Sequence, residues 1–354
     1  MSNYIEYKDK VYFHPGYYID ELVEESGLTQ ADFAKRLGTT PKNLSELIRG
    51  KQKLSIDIAT KLARMYGSSV KYWLGLQLAY DEGLSEINSA NELEKERKIF
   101  GALEYKYFRE NYGLPDLPRK IDEQIKCVRE FLCVSSLDVL RSEDFSVAFR
   151  SKEKFSEENM ISANAMVQIA INETLRRKTP QFDKVKFERA VRYASTQTVN
   201  HDDFIEKISK RFEAAGVVLV VLPNLKNSGI SGATKKVDDR MMILINKRYP
   251  YEDVFWFTLF HEIGHVLEGN VGITVEDNES EMDLFARDAL IPDKEYQMFV
   301  GENTYYNEEL IREFAARIER DPGIVAGRLF KDGKLRRNQM NLYNKLRVKY
   351  DSAV

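Results

Sequence analysis

At 354 residues, with 43% hydrophobic and 31% charged side chains, the chain is long enough for two or three buried cores, and its composition excludes a disordered or fibrous protein. A net charge of -3 excludes a uniformly basic nucleic-acid binder, but residues 35–71 carry nine Lys or Arg against two acids, Glu46 and Asp57, while residues 6–32 carry seven acids against two Lys. Cys127 and Cys133 are too far apart for a C-x-x-C site, residues 4–10 are polar rather than leader-like, and no apolar run approaches about 18 residues, so a cytoplasmic protein without a membrane span is expected.

In chain order, residues 19–25 read as a first helix. Thr29 is a candidate N-cap for a second, in which Phe33, Ala34 and Leu37 form an apolar stripe, and Gly38 ends it. Pro41 opens a third helix at its first position, and Gly50 closes it. Two short helices around a glycine turn predict a helix-turn-helix. The second of the pair would enter a major groove N-terminus first. Thr39, Thr40, Lys42, Asn43 and Ser45 are then the candidate base or phosphate contacts. Arg49, Lys51 and Lys53 are better placed for phosphate.

His14-Pro15-Gly16, Leu28-Thr29-Gln30, Leu37-Gly38, Leu44-Ser45-Glu46-Leu47-Ile48-Arg49-Gly50-Lys51 and Tyr72-Trp73-Leu74-Gly75 also carry a family likeness. Residues 12–82 resemble the Xre-type antitoxins and phage repressors of the HigA kind. That resemblance implies binding to double-stranded operator DNA as a homodimer, autoregulation, and a possible toxin partner.

Residues 83–200 read as a helical connector, with helices over 162–177 and 184–194 and breaks near Gly113, Pro118 and Pro180. The segment carries no recognisable chemistry, and its large apolar residues exclude a flexible linker.

The third region, 201–300, holds the strongest motif. Residues 216–222 and 241–246 are runs of strand type, 230–234 is a third candidate strand, and 235–239 is expected as a turn. A helix from about Asp253 then carries His261-Glu262-Ile263-Gly264-His265, which matches H-E-x-x-H. Residues four apart share a helix face, so both imidazoles can hold one Zn2+, with Glu262 placed to take a proton from a water beside it. Two histidines leave a ligand to find. Residues 279–292 read as a helix ended by Pro292, on which Glu279 and Asp283 share a face. Glu279 is expected as third ligand and Asp283 as the acceptor that orients a ligand imidazole. Glu281 is the alternative ligand, and Glu268, three residues after His265, could also reach inward. His201 and Arg328 are candidate donors to an oxyanion, with structural roles as the alternative.

Ala215-Gly216-Val217, Ile230-Ser231-Gly232-Ala233-Thr234, the H-E-x-x-H helix, Glu279-Ser280-Glu281-Met282-Asp283 and Leu290-Ile291-Pro292 together resemble the ImmA/IrrE metallopeptidase family. The resemblance covers about residues 200–295 and implies a zincin-like α+β domain that cuts a helix-turn-helix repressor in response to stress. Residues 301–354 form a C-terminal helical segment; 331–349 hold seven basic residues and one acid, read as a solvated helix with a second phosphate contact as the alternative.

The expected fold is mainly α with a small α+β domain: a helix-turn-helix bundle over 1–82, the connector, the metallopeptidase core, and the tail. The expected protein is a DNA-binding regulator whose zinc endopeptidase cleaves a repressor, itself included. The alternative is a non-catalytic, metal-sensing or partner-gripping repressor that neutralises a toxin. A third reading has the peptidase acting on another repressor in trans.

Overall fold

Among the described residues the chain is mostly helical, with one two-stranded and one four-stranded sheet. The computed structural model describes residues 3–142, 156–269, 272–275 and 280–349. Contacts divide the chain into two units, Met1–Lys95 and Glu96–Val354.

The first unit opens with a hairpin of β1 (Tyr4–Tyr7) and β2 (Lys10–Phe13), with Tyr4 opposite Phe13. Within the polar residues 4–10, the alternating Tyr-Ile-Glu-Tyr is the sequence signal of β1. Helix α1 (Pro15–Glu25) begins four residues before the expected 19, because His14 caps it. The Gly16 N–H donates to His14 Nδ1 at 2.9 Å, and burial holds this histidine's pKa below its usual range. Next come α2 (Gln30–Leu37), α3 (Pro41–Ile48), α4 (Ile56–Tyr66) and α5 (Val70–Phe100). The side chains of Thr29, Thr40 and Ser55 each accept an N–H from the first turn they precede. Ile19, Phe33, Leu44 and Leu62 meet in one buried cluster, each contributing roughly 1.5–3 kcal/mol of apolar burial.

The second unit begins with helices α6 (Tyr105–Tyr112), α7 (Ile121–Leu132), α8 (Glu157–Arg176), α9 (Lys184–Thr196) and α10 (Phe204–Glu213). Phe187 and Ala190 of α9 join the core that also contains the sheet and the motif helix, so this part of 83–200 is not a separate layer. The sheet has β3 (Val217–Pro223), β4 (Ile230–Val237), β5 (Arg240–Lys247) and β6 (Gly272–Val275) in the order β3-β5-β4-β6. β3 runs parallel to β5, whereas β4 is antiparallel to both β5 and β6. Strand β4 continues to Val237, three residues past the expected 234. The turn is only Asp238-Asp239, with Asp238 at φ +53°, as a two-residue hairpin requires.

Helix α11 (Glu252–Glu268) is buried along most of its length and packs against β4 and β5. It also packs against α12 (Ser280–Leu290), which precedes α13 (Asp293–Glu302) and α14 (Glu308–Arg317), and against α15 (Pro322–Lys331). Its apolar character on all sides follows from that enclosure. The tail is not the solvated helix expected for 331–349. It forms the short α16 (Met340–Leu346), after which Arg347 donates to Asp253 at 2.9 Å and stacks over Tyr251. Buried Asp253 supplies the reason: it needs a cation partner. Among the described residues no helix is long and apolar enough to cross a membrane.

Candidate functional site

Two sites follow from this architecture, one in each unit. In the first, α2 and α3 are joined by Gly38 in the left-handed conformation at φ +70°. Thr40 Oγ1 accepts the Asn43 N–H at 3.1 Å, so this hydroxyl holds the start of α3. The Asn43 amide donates to Thr39 Oγ1 at 2.8 Å, which fixes its orientation. Lys42 is 85% exposed at its side chain, and Ser45 is half-buried one turn on. Arg49 and Lys51 are exposed and make no ion pair among the described residues. Lys53, also a candidate phosphate contact, donates to Asp81 of α5 at 2.8 Å, so a phosphate there competes with that carboxylate. Lys35 and Arg36, which lie outside the contact set expected from the sequence, are also exposed, in the last turn of α2, and belong to the basic run over 35–71.

The second site lies on α11. His261 and His265 are 6% and 2% exposed, and their Nε2 atoms lie 3.2 Å apart. His261 Nδ1 is 2.9 Å from Asp283 Oδ1. An ionised carboxylate only accepts, so the proton belongs on Nδ1 and the His261 Nε2 lone pair faces His265. Two imidazole nitrogens converging on one point, one with its lone pair set by a carboxylate, suit a divalent cation of the zinc type. Glu262 is fully buried between them in sequence but faces β4, where the Thr234 hydroxyl donates to its Oε2 at 2.6 Å. A Cβ on Gly232 would come within 2.5 Å of Glu262 Oε1, so only glycine leaves this room. Thr234 is a residue whose role the sequence did not disclose.

Glu279 lies outside the described residues, as do Glu276 and Asp277. Glu281 and Glu268 are exposed. Among the described residues no three His, Cys, Asp or Glu side chains gather closely enough to hold a metal. The oxyanion candidates are committed elsewhere. His201 Nδ1 sits 2.8 Å from Oε2 of Glu252, the first residue of α11 and roughly 13 Å of helix rise from His261. Arg328 donates to the Ile291 carbonyl at 2.7 Å and to Asp293 at 2.9 Å, and lies over the Tyr296 ring. In both cases buried acceptors claim the donor.

Two capped helices about a left-handed glycine, with a basic exposed face, define a helix-turn-helix domain of the DNA-binding kind. The Helix-turn-helix family matches residues 19–73. Virulence-associated protein I of Dichelobacter nodosus is 32% identical over 74 residues, covering 21% of this chain and 68% of its own length. The uncharacterized HTH-type transcriptional regulator YddM of Escherichia coli (strain K12) is 32% identical over 85 residues, covering 24% of this chain and 88% of its own. Two solved structures also align. One, from Nostoc punctiforme, is described as a candidate antidote protein of a plasmid maintenance system, with 29% identity, 23% of this chain and 91% of that one covered, and a TM-score of 0.23. The other is a Pseudomonas aeruginosa protein in complex with its operator DNA, with 26% identity, 24% and 94% covered, and a TM-score of 0.23. The chain belongs to the helix-turn-helix family, as an HTH-type regulator.

Proposed function

We propose that this chain is an operator-binding repressor, acting as a homodimer, whose second unit is a zinc-dependent endopeptidase of the ImmA/IrrE kind that cuts a repressor, itself included, under stress. The observation that carries the reading is the convergence of His261 and His265 Nε2 at 3.2 Å, with Asp283 on the far nitrogen of His261. His261 and His265 would hold Zn2+, with Glu279 as third ligand and Glu281 as the alternative. When bound, zinc supplies a Lewis acid that lowers the pKa of a water toward about 7 and polarises a carbonyl. Glu262 takes the proton of the attacking water and returns it to the leaving amine. Thr234, by donating to Oε2 of Glu262 at 2.6 Å, holds that carboxylate in place against β4. Asp283 keeps the His261 proton on Nδ1 and the ring oriented.

Glu262→Gln in the full chain tests catalysis. Under a DNA-damaging or metal-stress trigger the wild type is expected to be cut and to lose operator DNA, while the variant stays whole and bound. Processing of the variant at the wild-type rate would rule out this site.

The complete burial of Glu262 favours a second reading, in which the unit senses metal or grips a protein such as a toxin without hydrolysing anything. Glu262→Gln would then respond normally, and His265→Ala would not.

A further inference from the structure

An open groove of about 360 Å³ lies between α9 and α10. The volume falls within the range of small-molecule sites, about 300–1,000 Å³. Its floor is small and apolar, with Ala190 of α9 and Ala215, just past α10, both buried. Lys186 and Arg189 line it from α9, and Lys210 and Arg211 from α10. Among the described residues no Asp or Glu lines it. None of these four cations takes part in either site described above.

Two of the cations have carboxylate partners outside the groove. Lys186 lies 3.7 Å from Asp183, and Lys210 pairs with Glu206. Both pairs are exposed, so water screens them and they hold weakly. Asp183 is also committed to the first turn of α9, where it accepts the Lys186 N–H at 3.0 Å. Glu213, at the end of α10, is taken by Arg177. Arg189 is exposed and makes no ion pair among the described residues. It stands three residues from Lys186 on the same helix, a like-charge spacing that weakens a helix. Arg211 makes no ion pair among the described residues either, and its guanidinium lies 4.0 Å over the Tyr193 ring. That stacking holds the guanidinium in place ahead of any ligand. The balance is a wall of cations with two guanidinium groups left over.

We propose that this groove binds a phosphate group, with Arg189 and Arg211 donating to its oxygens and Lys186 and Lys210 supplying flanking charge. A guanidinium presents paired N–H donors in a fixed fork that matches phosphate oxygens. A bound dianion meets two unpaired guanidinium groups and two loosely held ammonium groups, and breaks no buried bond. The open side admits a phosphate carried on a larger molecule, either a free phosphorylated metabolite or a nucleic-acid backbone. The site shares no residue with the histidine pair, so it stands or falls apart from the zinc reading above.

Inorganic pyrophosphate is the probe, titrated into the full chain by calorimetry, with malonate as an anion of different geometry. Saturable pyrophosphate binding is expected, at least about tenfold tighter than malonate. Arg189→Gln and Arg211→Gln should each weaken it about tenfold, the loss of one charged hydrogen bond, while melting at the wild-type temperature. Arg189→Lys keeps the charge without the fork and should lose less than Arg189→Gln. Arg49→Ala, on the DNA face of the first unit, should leave pyrophosphate binding unchanged. No saturable binding, equal binding of malonate, or glutamine variants that bind like the wild type overturns the site. A loss in Arg49→Ala as large as that in Arg189→Gln places the phosphate on the first unit and overturns it too. Competition then assigns the source. At equal phosphate concentration, stronger displacement by glycerol 2-phosphate assigns a free phosphorylated molecule, and stronger displacement by a DNA duplex lacking the operator assigns a nucleic-acid backbone. Failure of both competitors overturns the phosphate assignment.

Discussion

His261 Nδ1 and Asp283 Oδ1 lie 2.9 Å apart, joining the motif helix to the helix that follows it. The approach is close because Gly264 of α11 has Met282 and Phe285 against it, with Met282 Sδ 2.7 Å from where a Cβ would stand. Only a residue without a side chain lets α12 come near enough for a short aspartate to reach the imidazole.

Asp283→Ala is therefore expected to lower zinc affinity about 10- to 100-fold, the range for loss of a carboxylate behind a ligand histidine. Asp283→Asn keeps an accepting oxygen and should lose less, while His265→Ala should lose the metal. Elemental analysis of purified protein beside chelator competition distinguishes the three. Equal zinc binding by wild type and Asp283→Ala would show that His261 needs no such orientation.

On the DNA face, charge pairing separates cations that the sequence grouped together. Arg49 and Lys51 are exposed, whereas Lys53 is held by Asp81 at 2.8 Å. Each of Arg49→Ala and Lys51→Ala should reduce the salt dependence of operator binding by about one counterion, and Lys53→Ala by clearly less. Fluorescence anisotropy across a salt series measures all three slopes. A full-size loss for Lys53→Ala would mean that DNA displaces Asp81.

Thr40→Ala should destabilise the first unit by about 1 kcal/mol through loss of the cap on α3, with Thr40→Ser near wild type. Urea midpoints at constant slope give the answer, and a midpoint unmoved in Thr40→Ala contradicts the capping role.

What could be read from the sequence was what the backbone period carries. Thr29, Gly38, Thr40 and Pro41 announce helix ends through local chemistry, and the four-residue spacing of His261 and His265 puts both on one helix face. Contacts between distant elements have no such periodic trace. Thr234 and Glu262 are 28 residues apart on a strand and a helix, and nothing local to either names the other. His201 and Arg328 looked like spare donors because the acceptors that claim them, Glu252 and the Ile291 carbonyl, belong to other elements. The tail looked solvated because its partner Asp253 is 94 residues earlier.

Asp321 gives a pH signature. It is 2% exposed, caps α15 through Gly323 at 2.7 Å, and burial pushes its carboxyl from 3.8 up to about 6. A carboxyl raised on folding favours the protonated form, so its contribution is fully present below 3.8 and is lost as pH rises through about 6. The displacement is worth about 3 kcal/mol. Asp321→Asn keeps the capping oxygen and cannot ionise. It should be more stable than wild type by up to that amount at neutral pH and equal to it near pH 4. Trp256 is buried in this unit, so fluorescence in a Trp73→Phe background reports its unfolding alone. A variant less stable than wild type at neutral pH would show that the ionised Asp321 is held by more than its cap.

Thr234 is the sharpest test of the wall around Glu262. Its hydroxyl donates at 2.6 Å to a carboxylate with no exposed surface. Thr234→Val keeps the shape and removes that donor, so a buried carboxylate loses a charge-assisted bond, at a cost of about 1.5–3 kcal/mol in stability. Thr234→Ser retains the donor and should recover most of the loss. The double variant with Glu262→Gln discriminates further: with no charge left to stabilise, Thr234→Val should cost clearly less there than in the wild type. A Thr234→Val penalty of the same size in both backgrounds would assign the effect to packing on β4 and leave Glu262 positioned by the helix alone.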